Sequence, residues 1–358
     1  MEASRHCQHA PSSATLTRGT ACVSEPPYLT YSHYLRQRYG CVVYRVAVDA
    51  GFSCPNRKDG RSSGGCSYCA VDGSRAPYLN VRGAGIPGCS QAAEPGSRES
   101  LASQVQRGIS FLSKRYAAQS FILFFQAYSN TNAPVAHLAR VYDTGLSLAP
   151  FLGLNVATRP DCLDEEKARL LASYRERGLD VWVELGLQSA NDQTLRRIRR
   201  GHTSEDFRRA FDLLKDHGLK VGVHLIFGLP GEGWSEIMAT VEFVAGLSPD
   251  GVKIHNLLIP RGTLLARELL MGEVTTPGPS RHLDYTLAAI ERLPKETVIM
   301  RITCDALPSD VVSPRTFWPK AEFTARLAAE MNARGARQGR LFSPSRSPSR
   351  NPSRNPVP

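Results

Sequence analysis

The chain has 358 residues, is 42% hydrophobic and carries a formal net charge of +11. About 300 residues between two atypical ends suffice for one large α/β barrel or two smaller domains, and no run of about 18 apolar residues suggests a membrane span. The charge argues only weakly for nucleic acid, because Arg334, Arg337, Arg340, Arg346, Arg350 and Arg354 supply +6 of it in an acid-free end and leave +5 for the rest.

Residues 1–27 are rich in Ser, Thr, Pro and Arg without an apolar core, so they read as a disordered leader and not as a secretory signal. Nine cysteines, an odd number without regular spacing, fit a reducing, cytoplasmic compartment better than a disulfide framework. Apolar β-branched runs follow at 42–50, 121–127, 153–159, 181–189, 220–228 and 251–260. Near-continuous hydrophobicity is what strands buried on both faces require. Amphipathic stripes lie between them. Leu101, Val105, Ile109 and Leu112 share one helix face, as do Phe207, Ala210, Phe211 and Leu214, and Ile237, Val241, Val244 and Leu247. Six successive β-then-α units predict a parallel sheet curled into a partial (β/α)6 TIM-type barrel over 28–279, with its chemistry at the C-terminal ends of the strands. Residues 280–334, with a strand expected at 297–304, read as a small α/β extension closing the open edge. Residues 335–358, ending in SPSRSPSRNPSRNPVP, read as a disordered Ser/Pro/Arg tail.

The first strand runs into Cys54, eleven residues, Cys66, two residues and Cys69, joined through Gly60, Gly64 and Gly65. Three thiolates at the catalytic end suit an iron–sulfur cluster with one iron left without a protein ligand. A structural zinc needs four closed ligands. Cys41, a strand's length away, is a poor fourth, while Cys7, Cys22 and Cys89 lie in irregular regions and stay open as partners.

This loop resembles the cysteine motif of radical S-adenosylmethionine (SAM) enzymes, with Tyr68 in the aromatic place before the third cysteine. Its widened gap is similar to the YhcC/YtqA-like branch, related to the catalytic subunit of Elongator. The likeness runs from about residue 28 to 325 through DAGFSCPNR, FFQAYSNT, TRPD, ELGLQS, RRGHT, HLIFGLPGE, KIHNLL and RGTLLA, in order. It implies a 4Fe–4S cluster on Cys54, Cys66 and Cys69 whose open iron binds SAM, reductive cleavage to a 5′-deoxyadenosyl radical, and an electron donor such as flavodoxin or ferredoxin.

The resemblance also assigns strand-end residues. Gln126 lies in the segment expected around the SAM amino group, where the usual Gly-Gly-Glu is absent. Arg159 is expected at the SAM carboxylate, Glu184 and Gln188 at the ribose hydroxyls, and the Gly228 turn at the adenine. Capping or a salt bridge inside the barrel would explain Arg159 and Glu184 equally from the residues alone. Arg196, Arg197, Arg199, Arg200 and His202 suit phosphate contacts or a solvated helix face. Lys253, on a buried strand, needs an acidic or phosphate partner, and His224 and His255 read more simply as core histidines. Arg199, His202, Lys253 and His255 are therefore the substrate candidates, and a uridine side chain in tRNA is the substrate the resemblance favours. A small-molecule substrate, and a zinc-stabilised RNA-binding scaffold without catalysis, are the alternatives. Without an acetyltransferase-sized domain or a second cysteine run, neither acetyl transfer nor auxiliary clusters are expected.

Overall fold

A computed structural model describes residues 27–58, 63–70, 99–305 and 309–344. Helix α1 (Tyr31–Tyr39) is capped by the Thr30 hydroxyl and ends at Gly40, whose φ of 67° reverses the chain. It leads into β1 (Val43–Val48) and the short hairpin of β2 (Arg57–Lys58) and β3 (Ser63–Gly64). Alternation then proceeds through α2 (Leu101–Tyr116), β4 (Ser120–Phe125), α3 (Val135–Ser147), β5 (Phe151–Thr158), α4 (Glu165–Glu176), β6 (Asp180–Gln188), α5 (Asp192–Arg197), α6 (Ser204–Asp216), β7 (Lys220–Phe227), α7 (Trp234–Leu247) and β8 (Gly251–Asn256). The chain ends in β9 (Ile259–Pro260), α8 (Leu264–Leu270), α9 (Pro279–Arg292), β10 (Val298–Arg301), β11 (Val311–Ser313) and α10 (Lys320–Ala333).

The strands pair in the order β1-β4-β5-β6-β7-β8-β10, every pair parallel, as a curled partial barrel. All six expected strands are present. The strand expected in the C-terminal extension joins the same sheet as its seventh member, so barrel and extension share one sheet. Outward residues such as Val183, Leu185, Val223 and Ile254 pack under the helices in a continuous core. The three amphipathic stripes fall on α2, α6 and α7 as expected.

At the N-terminal ends of the strands α1 packs against both β1 and β10. Tyr31 and Leu35 meet Trp182, Val298 and Met300 there and form a floor. Asp180 fixes it from below, taking hydrogen bonds from Tyr39 Oη at 3.0 Å and Lys220 Nζ at 2.7 Å.

One boundary differs from expectation. Residues 335–344 were expected in the tail but pack on the body. Gln338 explains this: its side-chain oxygen accepts from the Leu29 amide at 2.8 Å and its amide donates to the Pro294 and Thr297 carbonyls at 2.7 Å, satisfying three backbone groups at once. Most of the expected leader (1–26) and tail (345–358), and Cys7, Cys22 and Cys89, lie outside the described residues.

Candidate active site

The widened gap between the first two cysteines is taken up by the β2–β3 hairpin. The Arg57 amide bonds to the Cys54 carbonyl at 2.9 Å and the Gly65 amide to the Asn56 carbonyl at 2.7 Å, which folds the loop back and returns Cys66 toward Cys54. Gly64 and Gly65, at φ of 74° and 94°, supply the left-handed backbone this needs. The second half of the loop is pinned from the barrel: the Ser67 amide donates to the Ile198 carbonyl at 2.9 Å, and the Leu265 amide to the Ser67 carbonyl at 3.0 Å. Tyr68 packs on the cluster of Leu195, Ile198, Leu229 and Leu257. Burial, then the neighbouring Cys66, pushes its hydroxyl well up.

Donors converge on the sulfurs. Arg57 Nη2 lies 3.1 Å from Cys69 Sγ, Asn56 Nδ2 3.4 Å and Arg200 Nη1 3.7 Å from Cys66 Sγ. Burial raises the Cys66 thiol, but Arg200 and Arg159 outweigh it and bring it below its ordinary value. At Cys69 burial prevails over Arg57, and the thiol is raised. Positive groups around three thiols are what an anionic, thiolate-held cluster requires. The buried Arg159 Nη1, Arg200 Nε and Ser67 Oγ have no hydrogen-bond partner here, and such donors are costly unless something further binds. On this donor set the residues fit a 4Fe–4S cluster with SAM beside it. Among the described residues no three His, Cys, Asp or Glu side chains form a group for a single metal ion, and none of the six described cysteines is in a disulfide.

The other sequence candidates divide. Arg159 reaches the mouth but is clamped bidentately by Asp161, at 2.8 Å twice. Gln126 directly follows β4 and Gln188 ends β6 at the mouth; the Gln126 amide donates to the Val48 carbonyl at 3.0 Å, and Gln188 has a φ of 78°. At Gly228 a side chain would collide with Pro277, its Cβ falling 2.2 Å from Cγ, and the φ of 90° adds to the requirement. Glu184 is fully buried and already held, by Arg45 Nη1 at 2.8 Å, His224 Nε2 at 2.9 Å and Lys253 Nζ. Burial raises its carboxyl, yet Lys253 and Arg45 hold it well below the usual carboxylate range. Its oxygens are thus committed within the barrel, and Lys253 finds there the acidic partner it needs.

His202 is committed too. Its ring nitrogens face the Thr203 and Gly186 carbonyls, each at 3.1 Å, and burial followed by Arg200 lowers its pKa to about 4. His255 stands beside His224 with ring centroids 5.6 Å apart and an unbonded buried Nε2. The expected row of arginines is split between tasks. Arg200 is 6% exposed and serves the cysteine loop, Arg197 pairs with Glu268 at 2.7 Å, and Arg196 and Arg199 remain exposed. Sequence reasoning overlooked Asn56 and Arg57 as partners of the thiols; their place inside the cysteine loop was the available signal.

Comparison with known proteins agrees with this geometry. The radical SAM superfamily profile matches residues 60–244, and the radical SAM C-terminal domain matches 249–333. YhcC of Escherichia coli (strain K12) is 35% identical over 318 residues, covering 87% of this chain and 95% of that protein. YtqA of Bacillus subtilis (strain 168) is 31% identical over 319 residues, covering 89% and 94%. A tRNA uridine(34) acetyltransferase of Methanocaldococcus infernus is 34% identical over 169 residues, 45% of this chain and 30% of that protein. The solved Elp3 structure from the same archaeon, lacking its N-terminus, superposes with a TM-score of 0.59 at 23% identity over 66% of this chain and 60% of that one, a likeness of fold. With the curled parallel sheet, the thiol loop at its mouth and these matches in hand, the chain belongs to the radical SAM superfamily and is an enzyme of that class, which uses a 4Fe–4S cluster and S-adenosylmethionine.

Proposed function

We propose that Cys54, Cys66 and Cys69 hold the cluster and that the strand ends around Gln126, Arg159, Gln188 and Gly228, with Tyr68, form the SAM site. The observation that carries this is the convergence of Arg57, Asn56 and Arg200 on the sulfurs of Cys66 and Cys69 at the C-terminal mouth of the barrel. The cofactor pair, when bound and reduced, supplies a 5′-deoxyadenosyl radical that takes a hydrogen atom from substrate. The chain's own residues position it. Arg200 bridges the cysteine loop to β6, with Nη1 3.7 Å from Cys66 Sγ and Nη2 donating to the Gly186 carbonyl at 2.6 Å. The Asp161 clamp leaves only Nη1 of Arg159 for a carboxylate. Glu184, whose oxygens are committed internally, and His202, whose neutral ring gives its single N–H to one of the two carbonyls it faces, act as structural supports.

For the substrate we propose a uridine side chain in tRNA, supported by the partial likeness to a tRNA uridine(34) acetyltransferase and by the exposed Arg196 and Arg199 beside the mouth. The electron comes from a flavodoxin- or ferredoxin-type donor, and free thiols fit work in the cytoplasm. Among the described residues no helix is long and apolar enough to cross a membrane.

The test is anaerobic reconstitution with iron and sulfide, then dithionite and SAM, scoring 5′-deoxyadenosine. Product that vanishes in Cys54→Ala, Cys66→Ala and Cys69→Ala supports the assignment; zinc alone, without sulfide, overturns it. For the RNA, Arg196→Glu with Arg199→Glu abolishes tRNA binding if the mouth is used, whereas loss only on deleting residues 345–358 transfers that role to the tail.

A further inference from the structure

The last strand carries a bulge with a chemical consequence. In β10, Val298 pairs with Gly251 and Ile299 with Val252, but Lys253 is opposite Arg301, leaving Met300 as the extra residue. Strict alternation would turn Met300 inward and Arg301 out to the helices. The bulge turns both inward. Met300 fills the floor beside Trp182, in space that Gly222 and Gly251 leave open: a Cβ on either would lie within 3 Å of its sulfur. Arg301 then falls in one row with Lys253 and His224 across three strands.

That row holds more positive charge than the barrel balances. Among the described residues Arg45 and Lys253 share a single carboxylate, that of Glu184. Arg301 makes no hydrogen bond or ion pair among the described residues, although it is shielded on most sides and acted on by Arg45, Glu184 and Asp305. Lys320, at the start of α10, adds positive charge at the same rim. The unbonded Nε2 of His255 adds an uncommitted polar atom beside them. A guanidinium delivered into a lumen by a bulge and left unmatched is costly unless an anion joins it. The lumen is still open to solvent: the Arg45 and His224 side chains keep 18% and 19% of their exposure. It is closed below by Tyr31, Trp182 and Met300, so a ligand enters only from the mouth.

We propose that this lumen is an oxyanion seat in which Arg301, with Lys320 and the uncommitted His255 Nε2 beside it, binds a terminal carboxylate or phosphate of the radical's substrate. The inference deepens the reading above by giving that substrate a chemical class. A blind lumen admits an end group, or a side chain extruded into it, and rejects the internal phosphodiester of a continuous strand. Guanidinium recognises carboxylate and phosphate through the same fork, so both chemistries fit.

The experiment titrates reconstituted full-length protein, under anaerobic conditions and both without and with saturating SAM, with inorganic phosphate and separately with malonate. Chloride keeps the ionic strength constant and calorimetry reads the binding. We expect saturable binding that weakens at least tenfold in Arg301→Gln, recovers in part in Arg301→Lys, and is unaffected by Arg326→Gln, a surface residue paired with Glu322. The tighter of the two anions names the source. Equal affinity in wild type and Arg301→Gln overturns the proposal, as does loss of the anion when SAM is added, which would assign the seat to the cofactor. A second readout needs no ligand: removing a half-buried guanidinium that no described acid pairs should raise Tm, and a fall in Tm would make Arg301 a structural residue and overturn the seat. Cys54→Ala protein should bind the anion as wild type does, so failure of the cluster assignment and failure of this one are separately visible.

Discussion

The floor and the mouth of the barrel use the same residue types in opposite ways. At the floor and just above it, charges are matched within the protein: Asp180 holds Arg38 and Lys220, and Glu184 holds Arg45 and Lys253. At the mouth, Arg159 and Arg200 keep buried donors that no described residue uses, with the three thiols of the cysteine loop among them. Buried ion pairs that satisfy each other are structural, while buried donors left unmatched mark a place where something else binds.

The sharpest way to break this comparison is at the thiols. Replacing any of Cys54, Cys66 or Cys69 with Ala should reduce 5′-deoxyadenosine to background in the reconstitution assay while the Tm of the unloaded protein stays close to wild type. The floor should respond in the reverse sense. Glu184→Gln leaves Arg45 and Lys253 facing each other without their carboxylate, and we expect a loss of about 3–5 kcal/mol in urea unfolding. Stability unchanged by Glu184→Gln would show that the floor is not self-matched and would erase the contrast.

A smaller effect is expected at Arg200, which links the two regions through Cys66 and Gly186. Arg200→Met should lower cluster content at limiting iron by about 10–100-fold, read by the visible absorbance of the reconstituted protein. Loss of fold without loss of cluster in the surviving fraction would place Arg200 with the floor.

The smallest expected effect tests titration at the mouth. Glu232 bonds to Ser189, and burial pushes its carboxyl up to about 7. A folded-state pKa above the unfolded value means that the folded protein holds the extra proton, so this group's contribution is fully present below about pH 4.5 and is lost as pH rises through about 7. Glu232→Gln should therefore gain on the order of 1 kcal/mol over wild type at pH 8 and nothing at pH 4, by Tm compared across pH. A gain independent of pH would mean that packing, not charge, sets the difference.

Much of this organisation was legible in the residues. Near-continuous apolar runs and three clean helical stripes specified a parallel α/β sheet, because strands covered on both faces tolerate little else. The position of the cysteines after the first apolar run placed the candidate site at the end of β1, since parallel barrels gather their loops there. Partner identity was not legible. The string Arg196, Arg197, Arg199, Arg200 reads as one basic ridge, yet a helical turn and a positive φ at Arg199 send one arginine to the thiols, one to Glu268 and two to solvent. Similarly, an acid on β6 and a lysine on β8 suggested two ligand sites until the sheet curvature brought Glu184 and Lys253 together.

The sequence by itself determined the periodicities, the order of units and the position of the three cysteines, all of which depend on neighbours within a few residues. Tertiary structure decided the rest: the hairpin that returns Cys66 toward Cys54, the docking of Gln338 on chain that lies 309 residues away at Leu29, and the bulge at Met300 that turns Arg301 inward. Each of these depends on which distant backbone or charge is within reach, and only the closed packing of the sheet sets that distance.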